Sequence, residues 1–471
     1  MPQSDAPTPP PPDLPRTIGP LGALGIMLGV TIGSGIFRTP SDIAQHIHSP
    51  LLTVGAWVLG GLLSLFGALT YTELNVLFPR SGGLYNYLYH GFRRPLAFVF
   101  GWTYMLISKP FAAAAITSIF AEYLHLNRHV TSLLIDRFGF SPDFRTDLPE
   151  PIAVCILLIF LTALNVRGMR LGAGAGVVIT AIKVLALLAI CALAVLLPGG
   201  SMENLASSGK PAPLFSAIVP VMASVLWTYD GWSDVGSVAG EVRRPQRSLP
   251  LVYLTGTLLV IGLYVCVNIA YLYVLPAEKV AASDAVAWDF MTALLGPTGG
   301  TLLTIAVLIS TLGATHASII TGARVTFAQA RDGLLFESLG RIHPRYDTPH
   351  VSLWTQCALS CVAVLFLRDF AALAGGFVFT IWIFYGLAAA AVIILRVRRP
   401  DLERPYRTPG YPVIPALFIL AAFIMTALAV HASPRSTLPW LGVLAAGYPT
   451  YLVWERLRLH RRRAADRYTN P

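Results

Sequence analysis

Two short stretches carry residue types able to hold a small charged solute, Gly33-Ser34-Gly35 and Asp230-Gly231. The first lies in Gly29-Val30-Thr31-Ile32-Gly33-Ser34-Gly35-Ile36-Phe37, at the middle of an apolar run from near Leu21 to near Ala44. A helix of about 20 apolar residues crosses a bilayer, and Gly-Ser-Gly is the kind of sequence that most readily leaves helical geometry. In lipid, a broken helix persists only where its freed backbone groups line a cavity or a ligand. The second stretch, Trp227-Thr228-Tyr229-Asp230-Gly231-Trp232-Ser233, repeats the device and adds an ionisable group at membrane depth.

Unwinding leaves bare N–H groups at the start of one half-helix and bare carbonyls at the end of the other. The positive end suits a carboxylate and the negative end an ammonium. A zwitterionic α-amino acid presents both. On this reading the backbone of Ser34 and Gly35 holds the carboxylate. The carbonyls of Thr31, Trp227 and Asp230 hold the amine, while the glycines at 33 and 35 permit close approach to the main chain.

The elements that position these residues must be membrane helices. Of the 471 residues, 55% are hydrophobic and 12% charged, against about 25% charged in soluble domains; the mean hydropathy is +0.64. The expected fold is an all-α integral membrane protein with about twelve transmembrane helices. Interrupted helices in corresponding positions of two halves point to an inverted-repeat carrier. The expected division is 1–16, a disordered cytoplasmic tail; 17–199, the first repeat with helices 1–5; 212–398, the second repeat with helices 6–10; 410–457, helices 11–12; and 458–471, a basic cytoplasmic tail. Residues 1–16 are Pro-rich and polar, unlike a cleavable leader.

Basic residues concentrate in the segments that face one side when both termini are cytoplasmic. Topology thus accounts for the net charge of +10. Beside a final span, Arg461-Arg462-Arg463 meets anionic headgroups of the bilayer rather than nucleic acid. The expected location is the cell (plasma or inner) membrane. The five cysteines fall in apolar spans and form no disulfide or metal pattern. Ser34 has no His base nearby in sequence and no paired-His spacing occurs, so an enzyme is disfavoured and no cofactor or metal is implied. No repeated pore loop suggests a channel.

Three further ionisable residues stand out. Lys183 sits nearly mid-span in Ile179-Thr180-Ala181-Ile182-Lys183-Val184-Leu185 and reads as an internal cation. Lys109, followed by Pro110, must face protein or water. Glu73, near the inner end of the second span, is either a coupling carboxylate or the partner of a loop arginine.

These motifs resemble the amino acid–polyamine–organocation (APC) superfamily of permeases, most closely its L-type amino acid transporter branch. The resemblance rests on Gly33-Ser34-Gly35-Ile36-Phe37, the run from Tyr71 to Tyr85, Asp230-Gly231-Trp232 through Glu241-Val242-Arg243-Arg244-Pro245, and Arg324 through Ala330-Arg331-Asp332-Gly333-Leu334. It implies the 5+5 inverted-repeat, leucine-transporter-type fold with unwound first and sixth helices, and amino acid exchange or uptake. It further implies that Ser34 and Gly35 bind the carboxylate, that the carbonyls of Thr31 and Trp227 take the amine, and that Trp227 gates the substrate. Lys183 would stand where sodium-coupled relatives place a cation, bridging the first break to the eighth span near Ser310. Asp230 replaces a Gly common in L-type relatives and invites a cationic side chain or a proton. Animal L-type proteins pair with a glycoprotein through a cysteine in the loop after the third span. Residues 125–149 hold no Cys, so no disulfide-linked heavy chain is expected.

The reading that results is Na+-independent transport, by exchange, of small or neutral L-amino acids. A proton-coupled or cationic amino acid or polyamine permease, with Asp230 and Glu73 as its carboxylates, is the alternative within carriers. A non-transporting amino acid sensor is the alternative outside them.

Overall fold

Near-continuous apolar sequence, cut by Pro and Gly, folds into helices in the computed structural model, which describes residues 14–124, 149–206, 214–283, 285–367 and 370–469. The first span is two half-helices, α1 (Pro20–Thr31) and α2 (Gly35–His46). α3 (Pro50–Leu77) follows. Next come α4 (Leu84–Thr103), a π-helical turn over Tyr104–Ser108, and α5 (Lys109–Tyr123). α6 (Pro149–Arg167) and α7 (Met169–Leu196) precede α8 (Leu214–Tyr229), which breaks and resumes as 3-10 turns over Trp232–Glu241. The remaining long helices are α9 (Pro245–Val274), α10 (Val286–Arg331), α11 (His350–Leu367), α12 (Phe370–Arg398), α13 (Val413–Ala432) and α14 (Pro434–Thr469). Proline opens α1, α3 and α9, where its missing N–H costs no hydrogen bond.

Ten helical segments are long and apolar enough to cross a membrane, among the described residues. Of the twelve expected crossings, the sixth falls short because its break leaves α8 only 16 residues. The last is α14, where the crossing and the charged segment after it form one helix. The boundary expected at 457–458 is therefore not a break in the backbone; the helix runs on to Thr469. Of the expected N-terminal tail, residues 1–13 lie outside the described residues, but Leu14 is buried. α4 starts at Leu84, ahead of the third expected crossing. It continues into that crossing through Arg93, whose φ of 69° marks a kink just before Pro95.

The half-helices are clasped by their neighbours. α1 packs on α7, α9 and α10, while α2 packs on α8. Below the breaks, Trp232 stacks with Tyr71, Tyr385 and Phe418 at centroid distances of 5.0, 5.4 and 6.1 Å. This aromatic core ties the 3-10 segment to α3, α12 and α13. At the same end, Ile18 pairs with Val242 in an isolated parallel bridge, strapping the N-terminal segment to the exit of the sixth span.

Candidate functional site

The first break spans Ile32 to Ser34. Ile32 leaves helical geometry at ψ 78°, and α2 restarts at Gly35. The second break is at Gly231, in the left-handed region at φ 111°, where only glycine is unstrained. The breaks touch. A Cβ on Gly231 would fall 2.8 Å from the backbone nitrogen of Thr31.

The carbonyls freed at the first break are held by three side chains from outside it. Lys183 Nζ donates to the carbonyls of Gly29 and Ile32 at 2.8 Å each. Ser310 Oγ donates to those of Ile32 and Gly33 at 3.4 and 3.3 Å. The lysine and the serine thus meet on one carbonyl, that of Ile32. The Tyr264 hydroxyl donates to the Thr31 carbonyl at 2.7 Å. The Thr31 carbonyl, expected to take a substrate amine, also accepts the Gly33 N–H at 2.9 Å and so already has two protein donors. The Trp227 carbonyl accepts the Asp230 N–H at 3.1 Å.

Ser34 is 1% exposed and, among the described residues, its hydroxyl has no hydrogen-bond partner, an uncommon state for a buried polar group. The glycines flanking it differ. A Cβ on Gly33 meets only ordinary contacts, at 3.7 Å from Ala314 Cβ and the Val30 carbonyl. A Cβ on Gly35 would lie 2.9 Å from Thr228 Oγ1. Gly35 is thus required by the seating of α2 on α8, which sequence reasoning assigned to substrate approach.

Below the second break lies a cavity of about 20 Å3 whose lining includes Lys109, Asp230, Ser233, Asp234, Phe377 and Tyr385. Tyr385 donates to Asp230 Oδ1 at 2.6 Å and shares a 2.9 Å hydrogen bond with Ser233. Lys109 forms a buried ion pair with Asp234, which also accepts the Thr321 hydroxyl at 2.8 Å. The cation at Lys109-Pro110 faces protein, as its depth requires. Its partner was missed, although Asp234 is a second acid one turn beyond Asp230.

The site is closed at both ends. On one side Trp227 packs edge-on against Phe370 and Phe377, at centroid distances of 5.6 and 5.4 Å. Arg38 lies 4.5 Å over Phe370 and pairs with Glu122 at 2.5 Å. On the other side Arg324 grips Glu241 through two hydrogen bonds of 2.6 and 3.3 Å, both residues buried. Glu73 stands apart. It accepts two bonds from Arg396, at 2.9 and 2.6 Å, and two from Thr408 at 2.8 Å. The arginine partner weighed for Glu73 is present, and it comes from the end of α12.

A family model described as amino acid permease matches residues 18–447. The chain is 30% identical to the human (Homo sapiens) b(0,+)-type amino acid transporter 1 over 429 residues, 89% of this chain and 84% of that protein. It is 30% identical to the human cystine/glutamate transporter over 452 residues, 94% of this chain and 86% of the relative. The serine/threonine exchanger SteT of Bacillus subtilis (strain 168) is also 30% identical, over 441 residues, covering 93% and 96%.

Proposed function

The chain belongs to the amino acid permease family, and from that premise we propose that it exchanges small or neutral L-amino acids across the membrane, independently of Na+, by alternating access. It is a multi-pass membrane transporter of amino acids and not an enzyme. The observation that carries the proposal is the contact between the two breaks beside a resident ammonium. Lys183 occupies the Gly29 and Ile32 carbonyls, the kind of oxygen set a sodium ion would need. A protonated Lys183 on those carbonyls supports Na+-independence. The exchange mode is supported by SteT, which is an exchanger.

In the proposed site the unpartnered Ser34 hydroxyl and the N–H groups of Ser34 and Gly35 receive the carboxylate. The amine takes the remaining lone pair on the Trp227 carbonyl and displaces a protein donor from the Thr31 carbonyl, which Tyr264 and the Gly33 N–H occupy, and Trp227 with Phe370 forms the outer gate. Trp227 packed on Phe370 and Phe377 covers the breaks on one side and the buried Arg324–Glu241 pair on the other, and these gates must part for loading. The repeats are 17–199 and 212–398, followed by the pair of helices in 410–457, with both termini cytoplasmic in the plasma or inner membrane. The absence of Cys in residues 125–149 supports a carrier without a disulfide-linked heavy chain.

A second reading has one observation behind it. Asp230, bound to Tyr385 beside the Lys109–Asp234 pair, supplies a carboxylate for a proton or a cationic side chain. Proteoliposomes test the first reading: radiolabelled alanine should enter only vesicles preloaded with amino acid, at the same rate with or without Na+. Entry into empty vesicles driven by a proton gradient would replace it with the second.

A further inference from the structure

Where the N-terminal segment meets the exit of the sixth span, a cavity of about 580 Å3 opens, lined by Arg16, Pro79, Arg244, Pro245, Gln246 and Arg247. Three arginines thus line one hollow. Among the described residues none of the three has a carboxylate within 4 Å, whereas Arg324, Arg396 and Arg38 all do. Arginines around a hollow of this size suit an oxyanion, and two oxygens of a phosphate match the guanidinium fork. The walls are the residues just before α1, just after α3 and at the start of α9. All three adjoin ends of helices long and apolar enough to cross a membrane, which the proposed topology sets near the cytoplasmic headgroups. Basic hollows in that position take anionic lipid headgroups.

We infer that this hollow binds the phosphate of an anionic phospholipid, and that the bound headgroup holds the neighbouring gate shut. The inference rests on the cytoplasmic placement of the N-terminus proposed above. The coupling follows from what the hollow joins. Ile18 N–H donates to the Glu241 carbonyl at 2.9 Å and Arg243 N–H to the Ile18 carbonyl at 2.8 Å. Glu241 is itself held by Arg324. A phosphate bridging Arg16 to Arg244 and Arg247 therefore ties the start of the first span to the end of the sixth. They are the segments that lead into the first interrupted helix and out of the second break.

The test uses the full-length carrier in two measurements. In detergent, native mass spectrometry reads retained phosphatidylglycerol for the wild type, for Arg16→Gln/Arg247→Gln, and for the equal-charge control Arg341→Gln/Arg345→Gln. Lipid retention should fall at least fivefold in the first variant and stay within twofold of wild type in the control. In proteoliposomes containing phosphatidylglycerol, Arg16→Gln/Arg247→Gln should exchange amino acid at least twice as fast as wild type, with equal rates in pure phosphatidylcholine. Equal retention by all three proteins, or equal loss in the control, overturns the site. Displacement of the lipid by millimolar inorganic phosphate shows that the source is soluble phosphate and overturns the lipid assignment. An unchanged rate in phosphatidylglycerol vesicles overturns the gate coupling. Retention is read without transport, so failure of amino acid exchange would sink the proposed function and leave the lipid site standing.

Discussion

Gly231 lies against Thr31: a Cβ at position 231 would sit 2.8 Å from the Thr31 nitrogen and 3.0 Å from its Cα. Two helices broken 200 residues apart in sequence therefore meet at their breaks. This contact brings bare N–H groups of one half-helix and carbonyls of the other within reach of one small zwitterion.

Gly231→Ala should be the most damaging of the glycine substitutions. It combines a left-handed φ of 111°, costing about 1–3 kcal/mol for a non-glycine residue, with the clash on Thr31. Transport should fall to background and thermal stability should drop. Wild-type melting of the purified variant would remove Gly231 from the contact.

Gly33→Ala and Gly35→Ala should separate binding from packing. At Gly33 the added methyl meets its neighbours at 3.7 Å, so the variant should melt like wild type while binding alanine about tenfold or more weakly. At Gly35 the methyl meets Thr228 at 2.9 Å, so stability falls along with binding. Scintillation proximity binding and thermal melting on the same samples distinguish them, and unchanged affinity in Gly33→Ala would clear that glycine of contact with substrate.

Lys183→Ala removes two charge-assisted hydrogen bonds from the Gly29 and Ile32 carbonyls, each worth about 1.5–3 kcal/mol. The maximal exchange rate should fall by about 10- to 100-fold with little change in the ranking of substrates. Normal uptake would mean the lysine merely fills space.

Lys109→Met leaves Asp234 buried with only Thr321 to hold it. Stranding one partner of a buried pair costs about 3–5 kcal/mol. Adding Asp234→Asn should restore much of that stability, and additive losses in the melting curves would show that the two residues do not act as a pair.

If protons are coupled at all, Asp230→Asn should flatten the pH dependence of uptake and Glu73→Gln should not. Four hydrogen bonds from Arg396 and Thr408 commit Glu73 to fastening α3 to α12 and the loop after it. Its loss should lower stability while the pH profile keeps its shape. A flattened profile in Glu73→Gln would return that residue to the transport cycle.

What the sequence revealed and what it hid follow one physical division. The breaks were legible because Gly-Ser-Gly and Asp-Gly interrupt apolar runs where lipid forbids bare backbone. Lys183 was legible because a mid-span ammonium has few destinations. The partners were not. Tyr264 on the Thr31 carbonyl and Tyr385 on Asp230 are ordinary aromatic residues of apolar helices, marked as site residues only by long-range packing. Asp234 carried a signal, an acid at membrane depth, but nothing local joined it to Lys109, 125 positions earlier. Gly35 was legible as a special position, yet its reason, the Thr228 side chain, lies on another helix. The run expected as the twelfth crossing lies in one helix with the charged segment after it, ending at Thr469, and that merger could not be read, because a charged amphiphilic stretch continues a helix as readily as it ends one.

The most direct test of the account is the position of bound substrate, measured by cryo-electron microscopy of the purified carrier in saturating L-alanine without Na+. The carboxylate should lie against the Ser34 hydroxyl and the N–H groups of Ser34 and Gly35, with the amine facing the Thr31 and Trp227 carbonyls and Lys183 still on Gly29 and Ile32. Alanine resolved elsewhere, or an ordered cation displacing the Lys183 ammonium, would contradict it.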